Sequence, residues 1–205
     1  MSIKWVVLDM MGVVFEEGDT MSTVLHPYLN ALKGDVSSED INALYILGRV
    51  GRMTSKQIFE TLGFKEDPIK VEEGFLKLIK LDPQFTLTAE RVKGKYKLAA
   101  LSNDVSEWSE KLRDMHGLNR LFDLVVISGD HGTHKPEEKI FNLFLEKAGV
   151  KAEECVFVDD KVRNLVPAEK LGFKTVKFVR EIIEDEIWNT EIRSFKELIP
   201  AIERF

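Results

Sequence analysis

Four polar residues stand where short apolar runs give way to loops. Asp9 follows the run at residues 3–8, Ser102 follows 97–101, and the adjacent pair Asp159 and Asp160 follows 155–158. Lys135 precedes a proline and a helical pattern. Three carboxylates brought together repel one another, so either their pKa values rise or a cation sits among them. Oxygen ligands with room left for water and phosphate suit Mg²⁺. A carboxylate such as Asp9 can then attack phosphorus and form an aspartyl-phosphate. The nonbridging oxygens need donors in the transition state. Candidates are the Ser102 hydroxyl, the backbone N–H groups of Met10 and Met11, and the compact ammonium charge of Lys135. Singly, each position has an ordinary reading: a strand-end Asp caps a turn, Ser102-Asn103 is a turn, and Lys135-Pro136 is a surface lysine before a helix-initiating proline. Their order along the chain, each beside a strand or a helix, makes the joint reading the stronger one.

The elements that must position them alternate. Residues 3–8 are rich in β-branched types and read as a buried strand. Strands are also expected at 97–101, 124–127, 155–158 and 173–179. Helices are expected after them, around Trp108, Leu112 and Met115, from 137 to 148 before Gly149, up to Leu171 before Gly172, and at 195–205. Repeated strand–helix units imply a parallel sheet with helices on both faces, where ligands bind beyond the carboxyl ends of the strands. Residues 20–90 differ. Val24, Leu25, Tyr28, Leu29 and Leu32 fall on one helical face, and Ile41, Leu44, Tyr45 and Leu47 on another. Ser37 and Ser38 ahead of Glu39 and Asp40, and Thr54 ahead of Gln57, have the spacing of helix starts. Phe75, Leu76 and Ile79 mark a further helix, stopped at Asp82-Pro83. The fold class is therefore α/β: a Rossmann-like three-layer core with a parallel sheet, formed by residues 1–16 and 90–205, and a small all-helical cap at 17–89 inserted after the first strand.

Composition excludes several classes. The chain has 205 residues, 44% of hydrophobic type, which suffices for one sizeable core or a core with a small accessory unit. Against 29 Lys and Arg stand 35 Asp and Glu, a net charge of −6. No basic run offers a groove for nucleic acid or an anionic membrane surface. No stretch approaches the roughly 20 apolar residues of a membrane helix, and the N-terminus carries no signal-peptide pattern, so a cytoplasmic location is expected. Cys155, the single cysteine, can form no internal disulfide and reads as an inert core residue. His131 and His134 flank Gly132-Thr133, but no third ligand of suitable type stands near, so they are expected at the site entrance or in solvent. Arg49 and Arg52 could meet an anionic substrate. Trp5 and Trp108 read as core. The composition carries no signal for an oligomeric state.

The sequence resembles the haloacid dehalogenase superfamily of Asp-nucleophile hydrolases over nearly its whole length. The resemblance rests on Val6-Val7-Leu8-Asp9-Met10-Met11-Gly12-Val13-Val14, on Leu101-Ser102-Asn103, on Lys135-Pro136, and on Val156-Phe157-Val158-Asp159-Asp160 continuing to Asn164, Ala168 and Leu171-Gly172. The helical insertion resembles the subclass I cap, and the segment with Gly48, Gly51, Thr54-Ser55 and Phe59 resembles one from the sugar-phosphate phosphatase and epoxide hydrolase N-terminal phosphatase branch. The resemblance implies Asp9 as nucleophile and Mg²⁺ ligand, Asp160 and Asp159 as metal ligands with the Met11 carbonyl, and a substrate-binding set of Met10, Met11, Ser102, Asn103 and Lys135. It implies a Mg²⁺-dependent phosphatase of a small phosphorylated metabolite. One departure stands out: phosphatases of this superfamily usually carry a second Asp two residues after the nucleophile, as general acid, and here Met11 occupies that position. Glu16, Glu17 or Asp19 are candidate substitutes. A 2-haloacid dehalogenase is the first alternative, disfavoured by the Asp159-Asp160 pair. A non-catalytic binding protein that kept the scaffold is the second, with Met11 as its only support.

Overall fold

A computed structural model describes residues 2–180 and 187–205. Six strands form one sheet: β1 (Trp5–Leu8), β2 (Lys97–Ser102), β3 (Leu124–Ile127), β4 (Cys155–Asp159), β5 (Lys174–Phe178) and β6 (Glu191–Ile192). Their order is β3-β2-β1-β4-β5-β6, and every pairing is parallel. β1 and β4 are buried along their whole length, which is why they read as unbroken apolar runs rather than alternating ones. The chain moves from β1 to one side, through β2 and β3, and then crosses back to place β4 on the other side of β1. The crevice at that reversal opens beyond Leu8 and Asp159, where such sheets bind ligands.

The two faces of the sheet carry separate cores. Trp5, Val7, Ala99, Leu101, Val126, Cys155 and Phe157 pack under α8 (Glu138–Ala148) and α9 (Val162–Lys170). The alternate residues Val6, Leu8, Leu98, Ala100, Val156, Val158, Val176 and Phe178 face the other way, as the two-residue strand period requires. That second core takes in α5 (Phe85–Lys93), α6 (Ser106–Met115) and the C-terminal helical turns at Phe195–Glu197 and α10 (Leu198–Ile202). Cys155 is buried on the first face, and burial pushes its thiol up to about 12. β6, two residues long, joins the sheet edge where the sequence showed no strand pattern. The single turn α7 (Ser128–His131) follows β3.

Between β1 and α5 lies the helical insertion: a wide turn at Met21–Leu25, then α1 (His26–Lys33), α2 (Ser38–Gly48), α3 (Ser55–Thr61) and α4 (Pro68–Leu76). The Ser37 hydroxyl accepts the Asp40 N–H, and Thr54 with Gln57 forms a complete capping box, so both helix starts expected from spacing are present. Leu32 departs from its pattern. It lies 52% exposed, because α1 ends one residue later and Gly34 turns the chain away with a positive φ. α5, which runs through residue 89, packs on β2 with the sheet layer. The insertion leaves and returns through a narrow hinge: Phe15 pairs antiparallel with Leu81, the Glu16 N–H donates to the Lys80 carbonyl at 2.9 Å, and the Asp82 N–H donates to the Val14 carbonyl at 3.0 Å.

Trp108 on α6 fastens the insertion to the sheet layer. It is 1% exposed, its Nε1–H donates to Ser55 Oγ at 2.6 Å, and its ring meets Tyr45, Phe59 and Phe75. Lys111 on the same helix pairs with the buried Glu72 of α4. We expect Trp108→Ala to lower the unfolding free energy by about 3–5 kcal/mol. Trp108→Phe keeps the ring contacts and loses mainly the Ser55 bond, so about 1–2 kcal/mol is expected. Denaturant titration of both variants checks this; equal losses would place the energy in the hydrogen bond rather than in the packing.

Candidate active site

The strand ends converge as the alternation requires. Asp9 leaves β1, Asp159 closes β4, and Asp160 begins the following loop; a carboxylate oxygen from each lies within 4.8 Å of the others. Lys135 arrives from the β3 side, and its Nζ lies 2.8 Å from Asp9 Oδ1 and 2.7 Å from Asp159 Oδ2. Burial pulls the ammonium towards neutrality, but Asp159 and Asp9 more than reverse this, and the net direction is up. Lys135 therefore stays charged although only 2% exposed.

The three carboxylates are not equivalent. Asp159 is fully buried and fully bonded: Oδ1 accepts from the Lys161 N–H at 2.8 Å, Oδ2 from Lys135, and both oxygens from Asn164 Nδ2 at 3.0 Å. Asp9 Oδ1 accepts from the Met10 N–H at 2.7 Å and from Lys135, which leaves Oδ2 without a donor among the described residues. Burial pushes the Asp9 carboxyl to about 6; Lys135 opposes that shift and Asp159 adds to it. Asp160 Oδ1 is buried with no partner. Burial, followed by repulsion from Asp159 and Asp9, pushes Asp160 to about 7. An orphaned carboxylate oxygen beside two more acids is what a hard divalent cation stabilises, so the residues present fit Mg²⁺. Gly12 is required on the opposite wall. Its φ is +79°, and a Cβ there would overlap the Asp160 carboxylate.

Ser102 Oγ is 1% exposed and has no hydrogen-bond partner, so its donor is free for an oxygen that enters the site. Asn103 behaves differently. Its Nδ2 donates to the Lys135 carbonyl at 2.8 Å and its Oδ1 accepts the Lys135 N–H at 2.7 Å. The amide grips the lysine backbone from both sides, and the Asn103 carbonyl accepts the Tyr45 hydroxyl at 2.9 Å. The Met10 side chain is buried in the core, and its N–H turns onto Asp9 rather than into open space. Met11 is among the residues lining the cavity, and its side chain is half-buried against the second core.

A cavity of about 990 Å³ opens above these groups. Asp9, Asp160, Asn103 and Lys135 line its floor, and Tyr45, Ile46 and Arg49 of the helical insertion line its far wall. Arg49 Nε is buried without a partner, and its guanidinium lies 6.0 Å from the Tyr45 ring. Arg52 is not among the lining residues. Neither histidine reaches the cavity: His134 Nδ1 lies 2.9 Å from the Lys135 carbonyl and its Nε2 pairs with Glu137, while His131 sits half-buried beyond it.

Several residues escaped the sequence reading. Arg180, two residues past β5, donates to the Gly12 carbonyl at 3.2 Å and the Val13 carbonyl at 2.6 Å, pairs with Asp82 at 2.7 Å, and lies 4.4 Å over the Phe178 ring. It ties the loop after Asp9 to the returning strand of the hinge. Lys161 Nζ donates to the Gly18 carbonyl at 3.0 Å. Asp104, two residues after Ser102, is 3% exposed with Oδ2 unpartnered. Burial pushes its carboxyl to about 7; the Val105 N–H opposes the shift, and Asp9 adds to it.

Residues 3–172 match the haloacid dehalogenase-like hydrolases. Among curated relatives, the glyceraldehyde 3-phosphate phosphatase of Methanocaldococcus jannaschii is 32% identical over 103 residues, 48% of this chain and 44% of that protein. The match thus spans less than half of that relative's length. The phosphoglycolate phosphatase of Aquifex aeolicus is 27% identical over 84% of this chain and 83% of its own. The (S)-2-haloacid dehalogenase 4A of Burkholderia cepacia is 30% identical over 48% of this chain and 43% of its own. Among solved structures, an enzyme of the same family from Bacteroides thetaiotaomicron, in complex with magnesium and inorganic phosphate, superimposes with a TM-score of 0.73 at 19% identity, covering 92% of this chain and 98% of that one; this likeness concerns the fold.

Asp104 carries a pH dependence whose sign follows from its direction of shift. Its folded value lies above the ordinary 3.8. The native state therefore holds a proton that the unfolded chain has released, and stability from this group falls as pH rises from about 4 through about 7. Asp104→Asn removes the titration. We expect the variant to gain on the parent across that window by up to about 4 kcal/mol, at 1.36 kcal/mol per pKa unit. Urea melts of both proteins at pH 4.5, 6 and 8 measure the difference; a constant offset would place the carboxyl at its ordinary value.

Proposed function

Because the chain belongs to the haloacid dehalogenase-like hydrolases, we propose that it is a Mg²⁺-dependent phosphatase of a small phosphorylated metabolite, with Asp9 as nucleophile. The observation that carries this reading is the pairing of an under-bonded Asp9 with a buried, charged Lys135 at 2.8 Å, with an unpartnered Ser102 hydroxyl at the end of the strand next to β1. Asp9 Oδ2, the oxygen without a donor, attacks phosphorus. Lys135 and Ser102 Oγ donate to the phosphoryl oxygens as charge builds on them. The Asn103 side chain holds Lys135 in place. Asp9, Asp160 and the Met11 carbonyl would hold a Mg²⁺ ion, which would neutralise charge between the phosphate and the acids. Asp159, with its oxygens already bonded, anchors Lys135.

Residues 17–81 form the cap in this reading, joined through the hinge at Phe15 and Leu81. The cap closes the cavity, and its Tyr45, Ile46 and Arg49 face the part of the substrate that varies. The named curated relatives that act on glyceraldehyde 3-phosphate and phosphoglycolate support a small phosphorylated substrate. Among the described residues no helix is long and apolar enough to cross a membrane. This and the absence of a basic run support a partner set without membrane or nucleic acid, and a cytoplasmic location.

The test uses the purified protein with an aryl phosphate and with a 2-haloacid, each with Mg²⁺ and with a chelator. We expect phosphate release that needs Mg²⁺ and falls at least about 10³-fold in Asp9→Asn. Halide release that survives the chelator would assign the chemistry to carbon instead. Turnover of neither would leave the scaffold as a binding protein.

A further inference from the structure

The residue two positions beyond Asp9 is Met11, one of the residues that line the reaction cavity. It carries no proton to give and no basic lone pair to receive one. The other acids near the cavity were considered as replacements. Glu17 Oε2 accepts the Lys80 N–H at 3.0 Å, in the hinge. Asp19 Oδ1 accepts the Ser22 N–H at 3.3 Å, capping the turn that opens the helical insertion. Glu16 is exposed at the cavity rim. The Tyr45 hydroxyl donates its proton to the Asn103 carbonyl, and Lys135 and Lys161 are bound to carboxylates and to the Gly18 carbonyl. Asp160 lines the cavity floor as part of the acidic cluster that would hold the cation. Thus position 11 carries an apolar residue, whereas proton transfer to a leaving group needs a donor within about 2.6–3.2 Å.

We propose that this enzyme is specialised for phosphoryl donors whose leaving group departs as a stable anion without protonation, acyl phosphates foremost. The inference rests on the phosphatase reading above and narrows its substrate class. In the first half-reaction an Asp9 oxygen forms a bond to phosphorus, the bond from phosphorus to the leaving oxygen breaks, and the electron pair stays on that oxygen. A carboxylate leaving group accepts that pair and needs no proton near neutrality. An alkoxide does need one, and nothing at position 11 supplies it. In the second half-reaction a water oxygen attacks phosphorus, the Asp9–phosphorus bond breaks, and its electron pair returns to the Asp9 carboxylate. The water's proton passes to the departing phosphate, since Met11 cannot take it. Without a base to activate that water, dephosphorylation is the slower half, and the phosphorylated enzyme accumulates.

The experiment compares acetyl phosphate, p-nitrophenyl phosphate, phenyl phosphate and glycerol phosphate with the native protein and Mg²⁺, reading kcat/KM, which reports transfer to Asp9. We expect a fall of more than about 10³-fold from acetyl phosphate to glycerol phosphate, on the scale of a missing general acid. We also expect a burst of nitrophenolate stoichiometric with enzyme before the steady state. Met11→Asp should raise kcat/KM for glycerol phosphate by about 10²- to 10⁴-fold, narrow its gap to acetyl phosphate, and abolish the burst. Similar kcat/KM for glycerol phosphate and acetyl phosphate in the native protein would overturn this proposal and leave the phosphatase reading standing; a loss in Glu16→Gln would then locate the acid. Failure to release phosphate from any of the four donors would overturn both. The native comparison needs no variant, so a misfolded Met11→Asp does not blunt the test.

Discussion

The site depends on one buried cation. Lys135 places an ammonium group, almost wholly removed from solvent, between Asp9 and Asp159 at 2.8 and 2.7 Å. A lone ammonium buried to this degree would lose its proton, and two carboxylates without it would not both ionise side by side. Each charge is thus the condition for the others. The surrounding bonds serve that arrangement. Asn103 grips the Lys135 backbone from both sides, Asn164 and the Lys161 N–H fix Asp159, and the Met10 N–H fixes one oxygen of Asp9. What remains unbonded, Asp9 Oδ2, Asp160 Oδ1 and Ser102 Oγ, is the part left for ligands.

Much of this was legible in the sequence because strand ends are local features. Apolar runs stop where the sheet stops, so Asp9, Ser102 and Asp159 announce themselves by position, and parallel topology carries them to one edge. The helix starts at Ser37 and Thr54 were legible for the same reason, since capping is decided within four residues. The division of labour was not. Asp159 and Asp160 are neighbours of the same type, and only the tertiary hydrogen bonds distinguish a saturated anchor from an open ligand. The bonds by which the Asn103 amide holds the Lys135 backbone span 32 residues and leave no local mark. Arg180 carries no local signal at all; its partners lie at residues 12, 13 and 82. β6 is too short to show a period, and Leu32 follows the helical stripe past the point where α1 has anything to pack against.

The helical insertion and the sheet layer are joined by unlike contacts. Close to the hinge, backbone pairing at Phe15 and Leu81 combines with the Arg180–Asp82 pair. Farther out, Trp108 with Ser55 and Lys111 with Glu72 hold α3 and α4 to α6. Ser128 Oγ, which donates to the Arg49 carbonyl at 2.6 Å, and the Tyr45–Asn103 bond lie between, at the cavity itself. Beside these single hydrogen bonds runs one apolar cluster that joins Met10 and Phe15, close to Asp9 in the chain, to Leu25, Leu29, Ile41 and Ile58 of the insertion.

The position of the insertion along the chain has an evolutionary consequence. It enters after β1 and leaves before β2, so sequence can be gained, lost or exchanged there while the register of all five strand pairs is kept. Asp9, Lys135 and the acidic pair belong to the sheet, whereas Tyr45, Ile46 and Arg49 belong to the insertion. Mutation can consequently retune what enters the cavity without renegotiating the reaction at its floor, and Met11, which sits on the sheet side of that divide, is a change of the rarer kind.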